Sequence, residues 1–276
     1  MEKVIMLGKP VADAVKENVA KKIAAAKMRG EIVGLAIVLV EGDAASAVYT
    51  KRLVKLAESL GAQVRLVVMP GNVEQVELLK AVSQLNADAD IKGILPMMPL
   101  PKHLDAQEIC ALIDPNKDMD CLSPLNAGEF YLGTNPWAPC TPRACMAALD
   151  YYNIDLKGKK AVVLGRSNVV GKPVALLLLQ KHATVTICHS RTVNLPLILR
   201  DADIIVAAIG VPNFVKADMV KESSVIIDVG INATDEGIVG DVEENANAKA
   251  SAFTPVPGGI GVISNAMVME TLTRNL

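Results

Sequence analysis

Lys160-Ala161-Val162-Val163-Leu164-Gly165-Arg166-Ser167-Asn168-Val169-Val170-Gly171-Lys172-Pro173 is the most informative stretch of this 276-residue sequence. Lys160 to Leu164 is short, apolar and β-branched, the composition of a buried strand, and Pro173 to His182 reads as a helix. Glycines between a strand and a helix let the backbone approach a pyrophosphate, and the helix N-terminus adds a positive dipole. The loop is Gly165-x5-Gly171 rather than Gly-x-Gly-x-x-Gly. The bare spacing therefore fits an ordinary tight turn equally well.

The next strand, Thr184 to Cys188, adds information. Where a dinucleotide fold for NAD carries an acidic residue on the ribose hydroxyl, this chain reads Cys188-His189-Ser190-Arg191-Thr192. A hydroxyl and a guanidinium at that place, with Arg166 in the glycine loop, suit a 2′-phosphate. The residues thus point to NADP over NAD. His189, His103 and His182 are read as structural, as lone histidines near element ends usually are. No HExxH, GxSxG or Walker lysine pattern occurs.

The same alternation extends in both directions. Ile204 to Ala208 and Val225 to Val229 are further strands, and Gly258 to Val262 leads to a final helix. Toward the N-terminus, residues 10–29 read as an amphipathic helix stopped by Gly30, and Ile32 to Val40 as a buried strand. Ala44 to Leu60 is a helix with Asp43 as N-cap and Gly61 as stop. Val64 to Val68 is a strand, Asn72-Val73-Glu74-Gln75 a capping box opening a third helix, and Lys92 to Leu95 a short strand. The turn-rich residues 114–142 form a loop-rich connector with a cleft beside it, followed by a helix over 143–153. The expected fold is α/β, with largely parallel sheets and helices on both faces.

Composition narrows the function classes. Lys plus Arg is 28 and Asp plus Glu 30, a net charge of −2, and aromatics are 3%, which argues against a general nucleic-acid binder. No apolar run approaches the roughly 20 residues of a membrane span. Five scattered cysteines without a CxxC pair give no metal or redox signature. The expectation is a cytoplasmic globular protein without a metal. Tyr49 shares a helix face with Ser46, Leu53 and Leu56, which reads as a core stripe. Asp118 and Asp120 alternate in the connector and suit a turn or a ligand contact.

Taken in order, the segments resemble the methylenetetrahydrofolate dehydrogenase/methenyltetrahydrofolate cyclohydrolase family over essentially the whole chain. They are Ser46-x-x-Tyr49, Gly93-Ile94-Leu95 with Pro99-Leu100-Pro101, Pro115-x-Lys117-Asp118-x-Asp120 and Pro139-Cys140-Thr141-Pro142-Arg143. They continue with Gly165-Arg166-Ser167-x-x-Val170-Gly171-x-Pro173, Cys188-His189-Ser190, Asp228-Val229-Gly230-Ile231-Asn232, Gly240-Asp241-Val242 and Thr254-Pro255-Val256-Pro257-Gly258-Gly259-x-Gly261. The resemblance implies two α/β domains with a cleft between them. Residues 1–137 would bind folate, with a C-terminal helix over 262–276 packing back on them, and 138–261 would form a Rossmann-type domain for NADP. It implies that Tyr49 stacks on the folate and Asp120 hydrogen-bonds the pterin. Arg166, Ser167 and Ser190 would hold the 2′-phosphate, and Gly165 and Gly171 would shape the loop. Ile231, Pro257, Gly258 and Gly259 would line the nicotinamide and folate pocket. It also implies a homodimer.

Departures from the family pattern set the functional expectation. The family motif Ser-x-x-Tyr-x-x-x-Lys has its lysine at Leu53 here, and the glutamine of its Val-Gln-Leu-Pro segment is Met97. Cys121 stands where the family has glycine, and Val262-Ile263-Ser264 where it has Pro-Met-Thr. A lysine can move protons because its pKa shifts on burial; leucine cannot. Arg52 stays protonated, and Lys51 and Lys55 lie at the wrong helical angles. Hydride transfer needs only alignment of two carbons. The expectation is an NADP-dependent methylenetetrahydrofolate dehydrogenase with weak or absent cyclohydrolase activity, a separate cyclohydrolase completing the path. The alternatives are a fully bifunctional enzyme, a non-catalytic folate- or NADP-binding paralogue, and an enzyme acting on a modified pterin.

Overall fold

Every residue of the run Gly34–Val40 is buried, as a parallel strand covered on both faces requires. The structure, a computed structural model, describes residues 3–135, 137–235 and 237–276. In chain order the elements are β1 (Val4–Ile5), α1 (Gly8–Met28), β2 (Gly34–Val40), α2 (Ala44–Ser59), β3 (Gln63–Met69), α3 (Gln75–Ala87), β4 (Ile91–Pro96), α4 (Ala106–Leu112), α5 (Pro124–Leu132) and α6 (Cys140–Tyr151). The second half adds β5 (Lys160–Leu164), α7 (Gly171–Gln180), β6 (Thr184–Cys188), α8 (Leu195–Asp201), β7 (Ile204–Ala207), β8 (Val225–Asp228), β9 (Asn232–Thr234), β10 (Gly237–Val239), α9 (Glu244–Lys249), β11 (Ala252–Phe253) and α10 (Ile260–Leu272).

The chain divides into two units: residues 3–13 with 139–267, and residues 14–138 with 268–276. The first holds a six-stranded parallel sheet in the order β1-β11-β8-β7-β5-β6, and the second a three-stranded parallel sheet in the order β3-β2-β4. The expected boundaries, 1–137 with 262–276 and 138–261, differ from this division. Residues 3–13 fall with the six-stranded unit because β1 pairs in parallel with β11, Val4 opposite Ala252 and Ile5 opposite Phe253. Both residues of β1 are exposed, so no alternation marks the strand in the sequence. Residues 260–267 of α10 belong with the same unit, and 268–276 with the three-stranded one. There the Arg274 guanidinium donates to Pro115 O and the Asn275 amide to Asn116 O.

Local chemistry explains where the elements start and stop. Asp43 caps α2 as expected, its Oδ2 accepting from Ser46 N–H at 2.7 Å. The capping box at 72–75 does not form. Helix α3 starts at Gln75 after Glu74 with no side-chain cap, because the Gln75 amide is engaged with Asp105 N–H, Asp105 O and Glu108 instead. The supposed connector 114–142 contains a helix: Ser123 caps α5, Pro124 opens it and Gly133 ends it at φ 74°. Its turn formers are helix punctuation. Helix α6 likewise begins at Cys140, three residues earlier than expected.

Candidate cofactor and folate site

In the six-stranded unit, Leu164, Cys188, Ala207 and Asp228 stand in one line of register. The loops after β5, β6, β7 and β8 therefore leave the sheet along one edge. The strand order places β6 on one side of β5 and β7 on the other, which makes the end of β5 a topological switch point, where doubly wound sheets bind ligands. The glycine loop sits there. Gly165 has φ +116°, and a Cβ on it would overlap Ala208 O; a Cβ on Gly171 would overlap Gly165 O and lie 2.8 Å from Arg166 N. The backbone is folded so tightly that only hydrogen fits.

Ser167 does more than the sequence suggests. Its Oγ accepts from Val170 N–H at 3.1 Å and Gly171 N–H at 3.3 Å, and its carbonyl accepts from Lys172 N–H at 3.1 Å. Pro173 has no N–H. The first turn of α7 therefore offers its dipole rather than free N–H groups. Arg166, Ser190 and Arg191 are exposed. None of the ion pairs among the described residues involves either arginine. His189 is structural, as expected: its Nδ1 accepts from Arg191 N–H at 3.1 Å, and Thr192 Oγ1 accepts from His189 N–H at 2.9 Å. The result is a glycine cradle whose flanking loops carry two exposed guanidinium groups and two exposed hydroxyls, with no carboxylate at the end of β6. The Gly171→Ala variant is expected to weaken NADPH binding at least about tenfold and to destabilise the unit by roughly 2 kcal/mol through backbone overlap. Fluorescence titration with NADPH and a thermal melt check this; unchanged affinity would remove the cradle from the site.

The ends of β7 and β8 are organised by two buried carboxylates that sequence reasoning did not single out as site residues. Asp228 Oδ1 accepts from Gly230 N–H at 2.9 Å and Asp241 N–H at 3.0 Å, and Oδ2 from Val242 N–H at 3.0 Å. Asp241 Oδ2 accepts from Ile209 N–H at 2.7 Å and Gly210 N–H at 3.0 Å; Oδ1 accepts from Val211 N–H and the Asn232 amide, each at 3.0 Å. Burial pushes the Asp228 carboxyl up to about 6, against the downward pull of its three N–H donors. Of the expected pocket residues, Ile231 is 65% exposed, Pro257 and Gly258 are exposed, and Gly259 is buried. Gly8 N–H donates to Gly258 O at 2.7 Å. Thr141 Oγ1 and Ser264 Oγ are 2.9 Å apart.

In the three-stranded unit, α2 follows β2 and buries Ser46, Thr50, Leu53 and Ala57. The buried stripe is thus rotated from the expected one, because a helix face advances at i, i+4, i+7 and i+11. Tyr49 and Leu56 are only half-buried, beside the stripe. Leu53 is fully buried, and Met97, just after β4, is 5% exposed. Met97 N–H donates to Val38 O at 2.8 Å, and Ser46 Oγ donates to Met98 O at 3.2 Å, which ties α2 to this segment. Thr50 Oγ1, one turn before Leu53, is buried without a hydrogen-bond partner. Lys51, Arg52 and Lys55 are exposed.

Asp120 is half-buried at the end of a segment that runs beside β4, with Ile94 N–H donating to Lys117 O at 2.7 Å. Asp118, 1% exposed, holds that segment: its carboxylate accepts from the N–H groups of Asp120, Leu122 and Ser123 and from the Asn126 amide. The two alternating acids therefore have different tasks. Cys121 adopts φ 54°, the left-handed region that explains a glycine preference there. Burial pushes the thiols of Cys110 up to about 11 and of Cys121 and Cys145 up to about 12, so they stay protonated at neutral pH. Among the described residues, no helix is long and apolar enough to cross a membrane, and no group of three or more His, Cys, Asp or Glu could hold a metal ion.

Comparison with known proteins agrees with this geometry over both units. A family profile described as "Tetrahydrofolate dehydrogenase/cyclohydrolase, catalytic domain" matches residues 6–120, and one described as "Tetrahydrofolate dehydrogenase/cyclohydrolase, NAD(P)-binding domain" matches residues 139–276. The chain belongs to the tetrahydrofolate dehydrogenase/cyclohydrolase family. Among family members, the bifunctional protein FolD of Moorella thermoacetica is 47% identical over 268 residues, 96% of each chain. The bifunctional dehydrogenase/cyclohydrolase FolD of Campylobacter jejuni has a solved structure that superimposes with a TM-score of 0.95 at 40% identity, covering 98% of this chain and 97% of that one. The Trypanosoma brucei enzyme, solved with NADP and an inhibitor, gives a TM-score of 0.93 at 35% identity over 99% of this chain and 97% of that one. This member of the tetrahydrofolate dehydrogenase/cyclohydrolase family carries the two-domain α/β fold with an NAD(P)-binding domain.

Proposed function

We propose that the chain oxidises 5,10-methylenetetrahydrofolate to the methenyl form with NADP. The observation that carries the reading is the glycine cradle at the switch point, edged by Arg166, Ser190 and Arg191 with no carboxylate at the end of β6. These residues, with Ser167, would hold the 2′-phosphate and pyrophosphate. When bound, the cofactor supplies the hydride acceptor. The protein's task is alignment and exclusion of water. Tyr49 would supply a flat face for the folate ring system, Asp120 a hydrogen-bond acceptor for the pterin, and Ile231, Pro257, Gly258 and Gly259 the lining of the reacting end.

The whole-chain likeness to relatives named as bifunctional supports the second step as well, hydrolysis of the methenyl product to formyltetrahydrofolate. A second reading rests on one specific observation: Leu53 and Met97 are both buried, and Thr50 Oγ1, one turn before Leu53, has no hydrogen-bond partner. Neither apolar side chain can move a proton or orient water. On that reading the methenyl compound is the product, and a separate cyclohydrolase finishes the path. A homodimer in the cytoplasm completes the proposal on either reading.

A spectral time course with purified protein, methylenetetrahydrofolate and NADP tests both, following NADPH and the methenyl chromophore separately against spontaneous hydrolysis. NADPH formation is expected. Methenyl signal that drains faster than the control supports the bifunctional reading, whereas accumulation supports the second. NADP binding without any NADPH would leave a non-catalytic paralogue or an altered pterin as the remaining accounts.

A further inference from the structure

Asp228 and Asp241 are 1% and 0% exposed, and their carboxylates together accept seven hydrogen bonds. Buried anions persist only when donors replace their lost hydration. The arrangement is sequential. Asp228 is the last residue of β8, and its own N–H donates to Thr254 Oγ1 at 2.9 Å. Its carboxylate accepts the N–H of Asp241. The Asp241 carboxylate in turn accepts the three successive N–H groups of Ile209, Gly210 and Val211 and the side-chain amide of Asn232. A rigid strand end thus fixes a backbone, whose side chain fixes two loops.

The neighbouring glycines exist for this arrangement. A Cβ on Gly230 would overlap the Asp241 carboxylate, and a Cβ on Gly240 would overlap that of Asp228. Both loops leave the sheet edge on the opposite side of β5 from β6. A dinucleotide with its pyrophosphate at the β5 loop and its 2′-phosphate at the end of β6 must lay its nicotinamide half over the ends of β7 and β8.

We propose that Asp241, held in place by Asp228, is a positioning residue for hydride transfer: it sets the 209–211 and 230–232 loops that seat the nicotinamide half of the cofactor. The proposal rests on the dehydrogenase reading above. It concerns alignment, to which hydride transfer is sensitive at the scale of an ångström. Asp241 touches neither cofactor nor substrate in this role.

The Asp241→Asn variant keeps the shape but turns an N–H toward donors that already point inward. Three quantities are measured against the unaltered chain: kcat and KM for NADP, Kd for NADP, and Kd for adenosine 2′,5′-bisphosphate, a probe that lacks the nicotinamide half. The expected result is a fall in kcat of about tenfold or more and NADP binding weakened several-fold, with the fragment Kd within about twofold. Adding Asn232→Asp to Asp241→Asn reverses the side-chain hydrogen bond and is expected to recover part of kcat. Unchanged kcat and NADP affinity would overturn the proposal, as would parallel loss of NADP and fragment binding, which marks general damage to the unit. Should Asp241→Asn fail to fold, Asn232→Ala is expected to give the same split in smaller measure, and no split would overturn the proposal. The ratio of NADP to fragment affinity needs no turnover, so failure of the substrate reading shows separately, as absence of NADPH from the unaltered chain.

Discussion

Converting Ser190 to Asp together with Arg166 to Ala is expected to move the preference for NADP over NAD by about a thousandfold or more in kcat/KM. Two effects add. Removing a guanidinium that makes charge-assisted hydrogen bonds to a phosphate loses about 1.5–3 kcal/mol, roughly ten- to a hundredfold. A carboxylate at the end of β6 then repels a 2′-phosphate and accepts the ribose hydroxyls of NAD. The repulsive element contributes more to discrimination than the lost attraction, because like charges at contact oppose each other by several kcal/mol in a partly screened site. Both positions are exposed, so the fold tolerates the change within about 0.5 kcal/mol. Steady-state kinetics with both cofactors decide the matter. An unmoved ratio would transfer the 2′-phosphate to Arg191 alone, and Arg191→Ala would then carry the loss.

The second large effect concerns Leu53 and Met97. The Leu53→Lys, Met97→Gln double variant is expected to hydrolyse methenyltetrahydrofolate at least about tenfold faster than the unaltered chain. An ammonium at a fully buried position is costly on its own, by several kcal/mol. Thr50 Oγ1, now buried and unpartnered one turn away on the same helix face, lies ready to receive it, and the introduced glutamine is expected to supply a second polar partner. An unsatisfied buried hydroxyl costs about 1–3 kcal/mol, so pairing it offsets part of the desolvation. Burial lowers the pKa of the lysine toward neutrality, which lets it move a proton. The single Leu53→Lys variant should melt lower than the double. Equal hydrolysis by the double variant and the unaltered chain would count against the placement of the defect and support the bifunctional reading.

Much of the fold was legible because its signals are local. Buried runs such as Ile91–Pro96 and Val225–Asp228 declare themselves by composition, and Asp43 and Gly61 mark the limits of α2. Three misreadings have two causes, distant partners and residues with a double use. The capping box at 72–75 lost Gln75 to a partner 30 residues away at Asp105. The two-residue strand β1 exists only because β11, nearly 250 residues later, supplies an edge. The connector concealed α5 because a serine, a proline and a glycine serve equally as turn formers and as helix punctuation.

The candidate site shows the same division. The sequence by itself determined the α/β alternation, the family, the glycine loop, the absence of a carboxylate after β6 and the apolar residues at 53 and 97. Those are statements about which residues occupy which positions in a chain. Only the tertiary structure decided that Ser167 caps the helix it precedes, that Asp118 supports Asp120, that Thr50 lacks a partner, and that Asp228 and Asp241 bind two loops to one strand end. The reason is physical: a buried polar group takes its role from the donors and acceptors that folding turns toward it, and residue type and spacing alone do not say which those are.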